Sequence, residues 1–203
     1  MIRVIYFDLG KVIIDFDPTV AVRQVMNITP LPGSEVTKFL TDDPSLCEYE
    51  CGRISTPDFY HCVLDRLKLN VSLENFRRLW ADIFLPEPLI SESFLIALKK
   101  KYRLILLSNT NEIHYEFIMQ RYPILRHIEE HVLSFQVGSM KPESQIFQFA
   151  IEKAGVPAEE IFFTDDRIEN VEAAKSAGLQ AVQFRSEEHL KREMIRLGIS
   201  LHD

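Results

Sequence analysis

Ile2-Arg3-Val4-Ile5-Tyr6-Phe7-Asp8-Leu9-Gly10 opens the chain with a short β-branched and aromatic run that stops at an acid and a glycine. A nearly continuous apolar run of this length fits a strand covered on both faces, as in a parallel sheet. The same form recurs twice. Leu104-Ile105-Leu106-Leu107 ends in Ser108-Asn109, and Ile161-Phe162-Phe163-Thr164 ends in Asp165-Asp166. Between these two stands Lys141-Pro142. In open α/β sheets a site lies at the carboxyl ends of the strands. An acid, a hydroxyl, a lysine and an acid pair gathered there suit a phosphoryl group and a hard metal ion.

Working outward, Val12 to Phe16 is a second apolar stretch that reads as a hairpin flap. Pro18 then opens a region with helical spacing. Its apolar stripes are Val20, Val22, Val25 and Met26, then Phe59, Val63, Leu64 and Leu67 behind a Thr56-Pro57 start, then Phe76, Leu79, Trp80, Ile83 and Phe84. Pro86-Glu87-Pro88 breaks the pattern, and no strand is expected between 18 and 88.

Beyond the breaker, strand and helix alternate. A helix around Leu95 and Leu98 ends in Lys99-Lys100-Lys101, which suits a helix C-terminus. Strands are expected at 103–107, near 131–135, at 161–164 and at 179–184. Helices are expected near 112–121, at 143–154 before Gly155, at 168–177 before Gly178, and near 187–197. Alternation of this kind implies right-handed crossovers and a parallel sheet. The expected fold is therefore α/β, with a Rossmann-like core of residues 1–17 and 88–203. An all-helical insertion of residues 18–87 follows strand one and sits above its carboxyl end, where a lid excludes water from a site.

The bulk composition narrows the partners. The chain has 203 residues, 46% hydrophobic and 26% charged, with a formal net charge of -7. That acidity argues against nucleic acid or an anionic membrane surface. No apolar run reaches membrane length, and no signal-peptide pattern is present. Cys47, Cys51 and Cys62 are odd in number and read as reduced thiols of a cytoplasmic protein. His127 and His131 lack a third ligand and read as surface residues; His61 reads as a packing residue.

Phosphoryl transfer needs a nucleophile, cations for the equatorial oxygens and relief of charge repulsion. Asp8 can be the nucleophile. Mg²⁺ held by Asp8 and an acid of Asp165-Asp166 would let a carboxylate approach a phosphate dianion. Lys141 offers a fixed positive charge. Ser108 and the main-chain N–H of Asn109 offer donors at the start of a turn. Taken singly, each residue also reads as a cap, a turn residue or a surface charge. The ordered set is what carries the chemistry.

That set, Asp8-Leu9-Gly10, Ser108-Asn109, Lys141-Pro142 and Asp165-Asp166 through Asn170, resembles the haloacid dehalogenase (HAD) superfamily of hydrolases. The stretch Phe163-Thr164-Asp165-Asp166-Arg167-Ile168-Glu169-Asn170-Val171-Glu172-Ala173-Ala174 is its most specific part. Gly138-Ser139-Met140-Lys141-Pro142-Glu143 and Glu50-Cys51-Gly52-Arg53-Ile54-Ser55 resemble the branch holding bacterial glucose-1-phosphate phosphatases and the phosphatase domain of soluble epoxide hydrolase. The resemblance implies an Mg²⁺-dependent phosphomonoester hydrolase for a small phosphorylated metabolite such as a sugar phosphate. It implies an aspartyl-phosphate on Asp8. A monomer or weak homodimer is expected. Asp8, the carbonyl of Gly10 and Asp166 would hold the metal, with Asp165 acting directly or through water and Asn170 behind them. Ser108, Asn109 and Lys141 would hold the phosphoryl group. Glu50 and Arg53, flanking Gly52 in a loop facing the core, would choose the substrate.

One departure matters. Phosphatases of the superfamily usually carry a second Asp two residues after the nucleophile, as general acid and base. Here that residue is Gly10. Such help is worth about 10²–10⁴-fold. Slow turnover or a substitute group from the cap is expected, and Gly10→Asp is expected to raise the rate. Two further readings stay open: a phosphate-binding or regulatory module that has lost turnover, and a dehalogenase, which would need no Mg²⁺. A receiver domain fits less well, since its acid pair ends the first strand and it has no helical insertion.

Overall fold

The computed structural model describes residues 1–201. The chain runs β1 (Val4–Phe7), β2 (Ile14–Phe16), α1 (Pro18–Met26), α2 (Gly33–Asp42), α3 (Pro44–Glu50), α4 (Thr56–Leu67), α5 (Leu73–Ala81) and β3 (Phe84–Pro88). It continues with α6 (Glu92–Lys99), β4 (Arg103–Ser108), α7 (Glu112–Arg121), a 3-10 turn at Pro123–His127, β5 (Glu130–Leu133) and α8 (Ser134–Val137). Then follow α9 (Ser144–Ala154), a second 3-10 turn at Ala158–Glu160, β6 (Ile161–Asp165), α10 (Ile168–Ser176), β7 (Gln180–Gln183) and α11 (Glu187–Arg196).

Five strands form one parallel sheet in the order β5-β4-β1-β6-β7. Strand β1 is central. Its neighbours are reached by crossovers to opposite sides, so its carboxyl end is the switch point where such sheets place a site. Side chains of each strand alternate between two apolar layers. Ile5, Phe7, Leu104, Leu106 and Phe162 face one layer, packed with α6 and α11. Val4, Tyr6, Ile105, Leu107 and Phe163 face the other, packed with α9 and α10. All are buried, which is why these strands read as unbroken apolar runs.

The five helices α1 to α5 have an apolar cluster of their own, built on Val36, Phe39, Tyr49, Phe59, Val63, Leu67 and Phe76. Ile113 of α7 joins it from the core side. Their starts are written in the sequence: Asp17, Asp43, Ser55 and Ser72 each accept a hydrogen bond from a first-turn N–H, and Pro18, Pro44 and Pro57 occupy first-turn positions where no donor is needed. Residues α2 and α3 are helices that the apolar spacing did not single out.

The expectation of no strand between 18 and 88 is corrected. Phe84–Pro88 forms β3, which pairs antiparallel with β2, Phe16 opposite Phe84 and Ile14 opposite Pro88. The flap at Val12 to Phe16 is thus completed by the far end of the insertion. The two prolines fit because the ribbon has only two strands, and its outer edge needs no donors.

Candidate active site

Asp8 follows β1, Ser108 ends β4 and Asp165 ends β6, three adjacent strands. Lys141 comes from the loop after α8, where Gly138 ends the helix in the left-handed region at φ 76°. Ser139 Oγ donates to Glu143 Oε2 at 2.7 Å, which ties that loop, and the Lys141–Pro142 peptide bond is cis.

The lysine is buried and its ammonium is fully used. Nζ lies 2.7 Å from Asp8 Oδ1, 2.6 Å from Asp165 Oδ2, and donates to the Leu107 carbonyl at 2.9 Å. Burial alone would lower its pKa, but Asp8 and Asp165 hold it above the ordinary lysine value. Asn109 clamps the same residue: its Oδ1 accepts from the Lys141 N–H and its Nδ2 donates to the Lys141 carbonyl, both at 2.8 Å. The Asn109 side chain therefore positions Lys141, leaving its main chain and Ser108 to face a ligand.

Asp165 is completely buried and satisfied. Beyond Lys141 it accepts from the Arg167 N–H at 2.9 Å and from Asn170 Nδ2 at 3.0 Å on each oxygen. Asp166 is half-buried and its carboxylate makes no hydrogen bond to another side chain among the described residues. Burial, with Asp165 beside it, raises its pKa. Burial likewise pushes Asp8 up to about 7, against the pull of Lys141 and with the push of Asp165.

Ligand oxygens of Asp8, Asp165 and Asp166 all lie within 4.8 Å of one another. Three carboxylates against one ammonium leave an excess of negative charge in a buried place, which a further cation would relieve. Oxygen donors of this kind suit a hard divalent ion. Asn170 Oδ1 is buried without a hydrogen-bond partner, an acceptor waiting for a water or ligand. The residues present fit such an ion.

Between the helical insertion and the sheet lies a cavity of ≈ 440 Å³. Leu9, Gly10, Ser108 and Asn109 floor it; Glu50, Phe16, Trp80, Phe84, His114 and Arg167 are among its walls. A larger cleft, ≈ 700 Å³ between α1, α5 and α7, includes none of Gly10, Ser108 and Asn109; the carboxylates of the cluster and Lys141 line neither space. Of the two residues expected to choose a substrate, Glu50 ends α3 and lines the cavity. Arg53 does not: it is exposed, pairs with Glu48 at 2.7 Å and is absent from the walls. His61 is exposed rather than packed in the core. His127 bonds Glu92 at 2.8 Å and His131 bonds Tyr115 at 2.7 Å, so both are structural. The three cysteines are free.

The apolar spacing places Trp80 in a helical stripe and Phe16 in the flap, but marks neither of them, nor His114, as a cavity wall. His114 Nε2–H donates to the Trp80 carbonyl at 2.9 Å, and Nδ1 accepts from Asn111 Nδ2 at 3.1 Å. Burial lowers its pKa to about 4, so the ring is neutral. It pins α7 to α5. Phe16 closes the space beside Gly10: a Cβ on Gly10 would stand 2.8 Å from its ring.

Comparison with known proteins agrees with this geometry. The haloacid dehalogenase-like hydrolase family matches residues 2–178. Over 189 residues the chain is 28% identical to a D-ribitol-5-phosphate phosphatase of Bacteroides thetaiotaomicron, covering 90% of this chain and 92% of that one. It is 25% identical over 128 residues to a phosphorylated carbohydrates phosphatase of Thermotoga maritima, 59% of each chain. A HAD family enzyme of Bacteroides thetaiotaomicron, solved with magnesium and inorganic phosphate, superposes with a TM-score of 0.84 at 25% identity, covering 94% of this chain and 99% of that one. No helix among the described residues is long and apolar enough to cross a membrane.

Proposed function

The chain belongs to the haloacid dehalogenase-like hydrolases, and from that premise we propose that it is an Mg²⁺-dependent phosphomonoester hydrolase acting on a small phosphorylated metabolite. The observation that carries this reading is the buried Lys141 bridging Asp8 and Asp165, with Asp166 beside them. The names of the two phosphatase relatives support a phosphorylated polyol or carbohydrate as substrate. The magnesium and phosphate in the related structure support the metal.

Asp8 and Asp166, with the main-chain carbonyl of Gly10, would hold the ion; Asp165 serves chiefly to hold Lys141 and Asn170. When bound, such an ion would supply positive charge that offsets the repulsion between a phosphoryl group and the carboxylates. Ser108 and the main-chain N–H of Asn109 would bind the phosphoryl group, with the fixed charge of Lys141 beside them, and aim its phosphorus at Asp8. Asp8 attacks, the ester oxygen leaves, and water then cleaves the aspartyl-phosphate. Residues 18–87 act as the cap, excluding bulk water while the intermediate exists.

The test is phosphate release from sugar phosphates, polyol phosphates and p-nitrophenyl phosphate, with Mg²⁺ and with EDTA, for wild type and Asp8→Asn. Mg²⁺-dependent release that disappears in Asp8→Asn is expected. Ester binding without release from any substrate would overturn the reading in favour of a phosphate-binding module.

A further inference from the structure

Position 10 offers no side chain, and the room an acid would need there is occupied by the Phe16 ring, 2.8 Å from where its Cβ would sit. The proton for the leaving oxygen must come from another wall of the cavity. Asp15, the next acid along the chain, is paired with Lys11 at 2.5 Å; that hydrogen bond keeps its pKa low. His114 has both ring nitrogens engaged. Tyr49 hydroxyl is 2.8 Å from Thr56 Oγ1 and accepts from the Ile113 N–H at 3.4 Å. Cys47 is exposed. Arg167 bonds Glu169 at 2.8 Å.

One carboxyl among the described lining residues is left, Glu50. It makes no side-chain hydrogen bond or ion pair to the described residues, so both oxygens are available to a ligand. Its position is fixed from both sides in the chain. Tyr49, one residue before, is bonded to Thr56 and to α7. Gly52, two residues after, lies at φ 65°, and a Cβ there would stand 2.0 Å from the Phe135 carbonyl oxygen. The α3–α4 loop thus sits directly on α8, the element that leads to Lys141.

Resting on the function proposed above, we propose that Glu50 replaces the missing second aspartate as general acid and base, delivered from the cap. In the first half-reaction Asp8 bonds to phosphorus and the P–O ester bond breaks, its electron pair going to the leaving oxygen. The Glu50 carboxyl gives its proton to that oxygen, releasing an alcohol and leaving a carboxylate. In the second, the carboxylate takes a proton from water as the water oxygen bonds to phosphorus. The P–O bond to Asp8 breaks, its electron pair returns to Asp8, and phosphate departs. Burial raises the Glu50 pKa, opposed by Arg167, the direction a general acid needs.

The experiment is the dependence of kcat/KM on leaving-group acidity across alkyl and aryl phosphates, for wild type and Glu50→Gln. An alkoxide needs a proton to leave and p-nitrophenolate does not. Glu50→Gln is expected to lose about 10²-fold on alkyl phosphates and under about threefold on p-nitrophenyl phosphate. The slope against leaving-group pKa should steepen accordingly, and the acidic-form limb of the pH profile for alkyl esters should vanish. Thermal melts check that the variant is folded, and Glu50→Asp should recover part of the alkyl rate. An equal loss on both ester classes, or no loss on either, with wild type still releasing phosphate, would overturn this assignment alone. No Asp8-dependent release from wild type would overturn the hydrolase reading and take this proposal with it.

Discussion

The Phe16 ring edge sits 2.8 Å from the place a Cβ on Gly10 would occupy, so the residue opposite the nucleophile and the flap behind it are one fitted pair. The sequence alone predicts that Gly10→Asp raises the phosphatase rate. The structure changes that expectation. The new side chain must displace Phe16, whose ring packs against Phe84 with centroids 6.2 Å apart. Phe16 is only half-buried and the atom in the way is at the far end of its ring, so the cost falls at the low end of about 1–3 kcal/mol. Gly10→Asp alone should lower the melting temperature without a gain in rate. Paired with Phe16→Leu it should recover stability. Denaturant melts and phosphate release on both variants check this; a faster, undamaged single variant would contradict it.

Lys141→Met would strand Asp8 and Asp165 in a buried place without their shared counter-charge. Removing one partner of a buried ion pair costs about 3–5 kcal/mol. The variant should lose phosphate release and, in EDTA, about 3 kcal/mol in urea unfolding. Retained stability would mean that the carboxylates are neutral in the metal-free protein.

Metal should be visible without turnover. An ion that binds only the folded state at 100 times its Kd adds about 2.7 kcal/mol. For a chain of this size that is a rise in Tm of roughly 5–10 °C. Asp166→Asn removes a freely available ligand and should abolish most of the Mg²⁺-dependent rise while leaving the melt in EDTA close to wild type. A Tm indifferent to Mg²⁺ in the wild type would count against the metal site.

His114 gives a pH signature. Its pKa is lowered by burial from 6.5 to about 4, so between those values the unfolded chain binds the extra proton and the folded chain does not. Stability from this residue is therefore complete above pH 6.5 and is lost as pH falls towards 4, to a limit of roughly 3 kcal/mol. Asp8, with its pKa raised, acts in the opposite direction as pH falls below 7. The comparison must accordingly be between wild type and His114→Gln. The variant should be less stable at pH 7.5 and should show a shallower loss between pH 6.5 and 4.5. Parallel curves for the two proteins would mean that the ring is not held neutral.

The sheet was legible because its strands are buried on both faces, so Val4–Phe7, Leu104–Leu107 and Ile161–Phe163 carry no polar residue to blur them. The candidate site was legible for the same reason. Asp8, Ser108 and Asp165 stand out as polar ends of apolar runs, and only Lys141 needed its neighbours to be noticed. Strand β3 was hidden by Pro86 and Pro88, which signal a break and here lie in a two-stranded ribbon. Glu50 and Arg53 look alike in sequence, three residues apart, but a helix end turns one into the cavity and the following loop turns the other to Glu48 and solvent. Trp80 and His114 lie at helical spacing among apolar residues. That pattern is the same whether a ring faces a core or a cavity wall.

The pairing of β2 with β3 has a consequence for how such a chain can change. Phe16 and Phe84 lie opposite each other in the ribbon, so the insertion leaves the sheet and returns to it through a single doorway. To the sheet, everything beyond that doorway resembles one short loop, however many residues it holds. The insertion also carries its own apolar cluster. A lineage could exchange or reshape it, and with it the molecules admitted, while the strands that carry Asp8, Ser108 and Asp165 keep their register. Exchange at Phe16 and Phe84 would also carry away Glu50, so a transplanted insertion would have to bring its own proton.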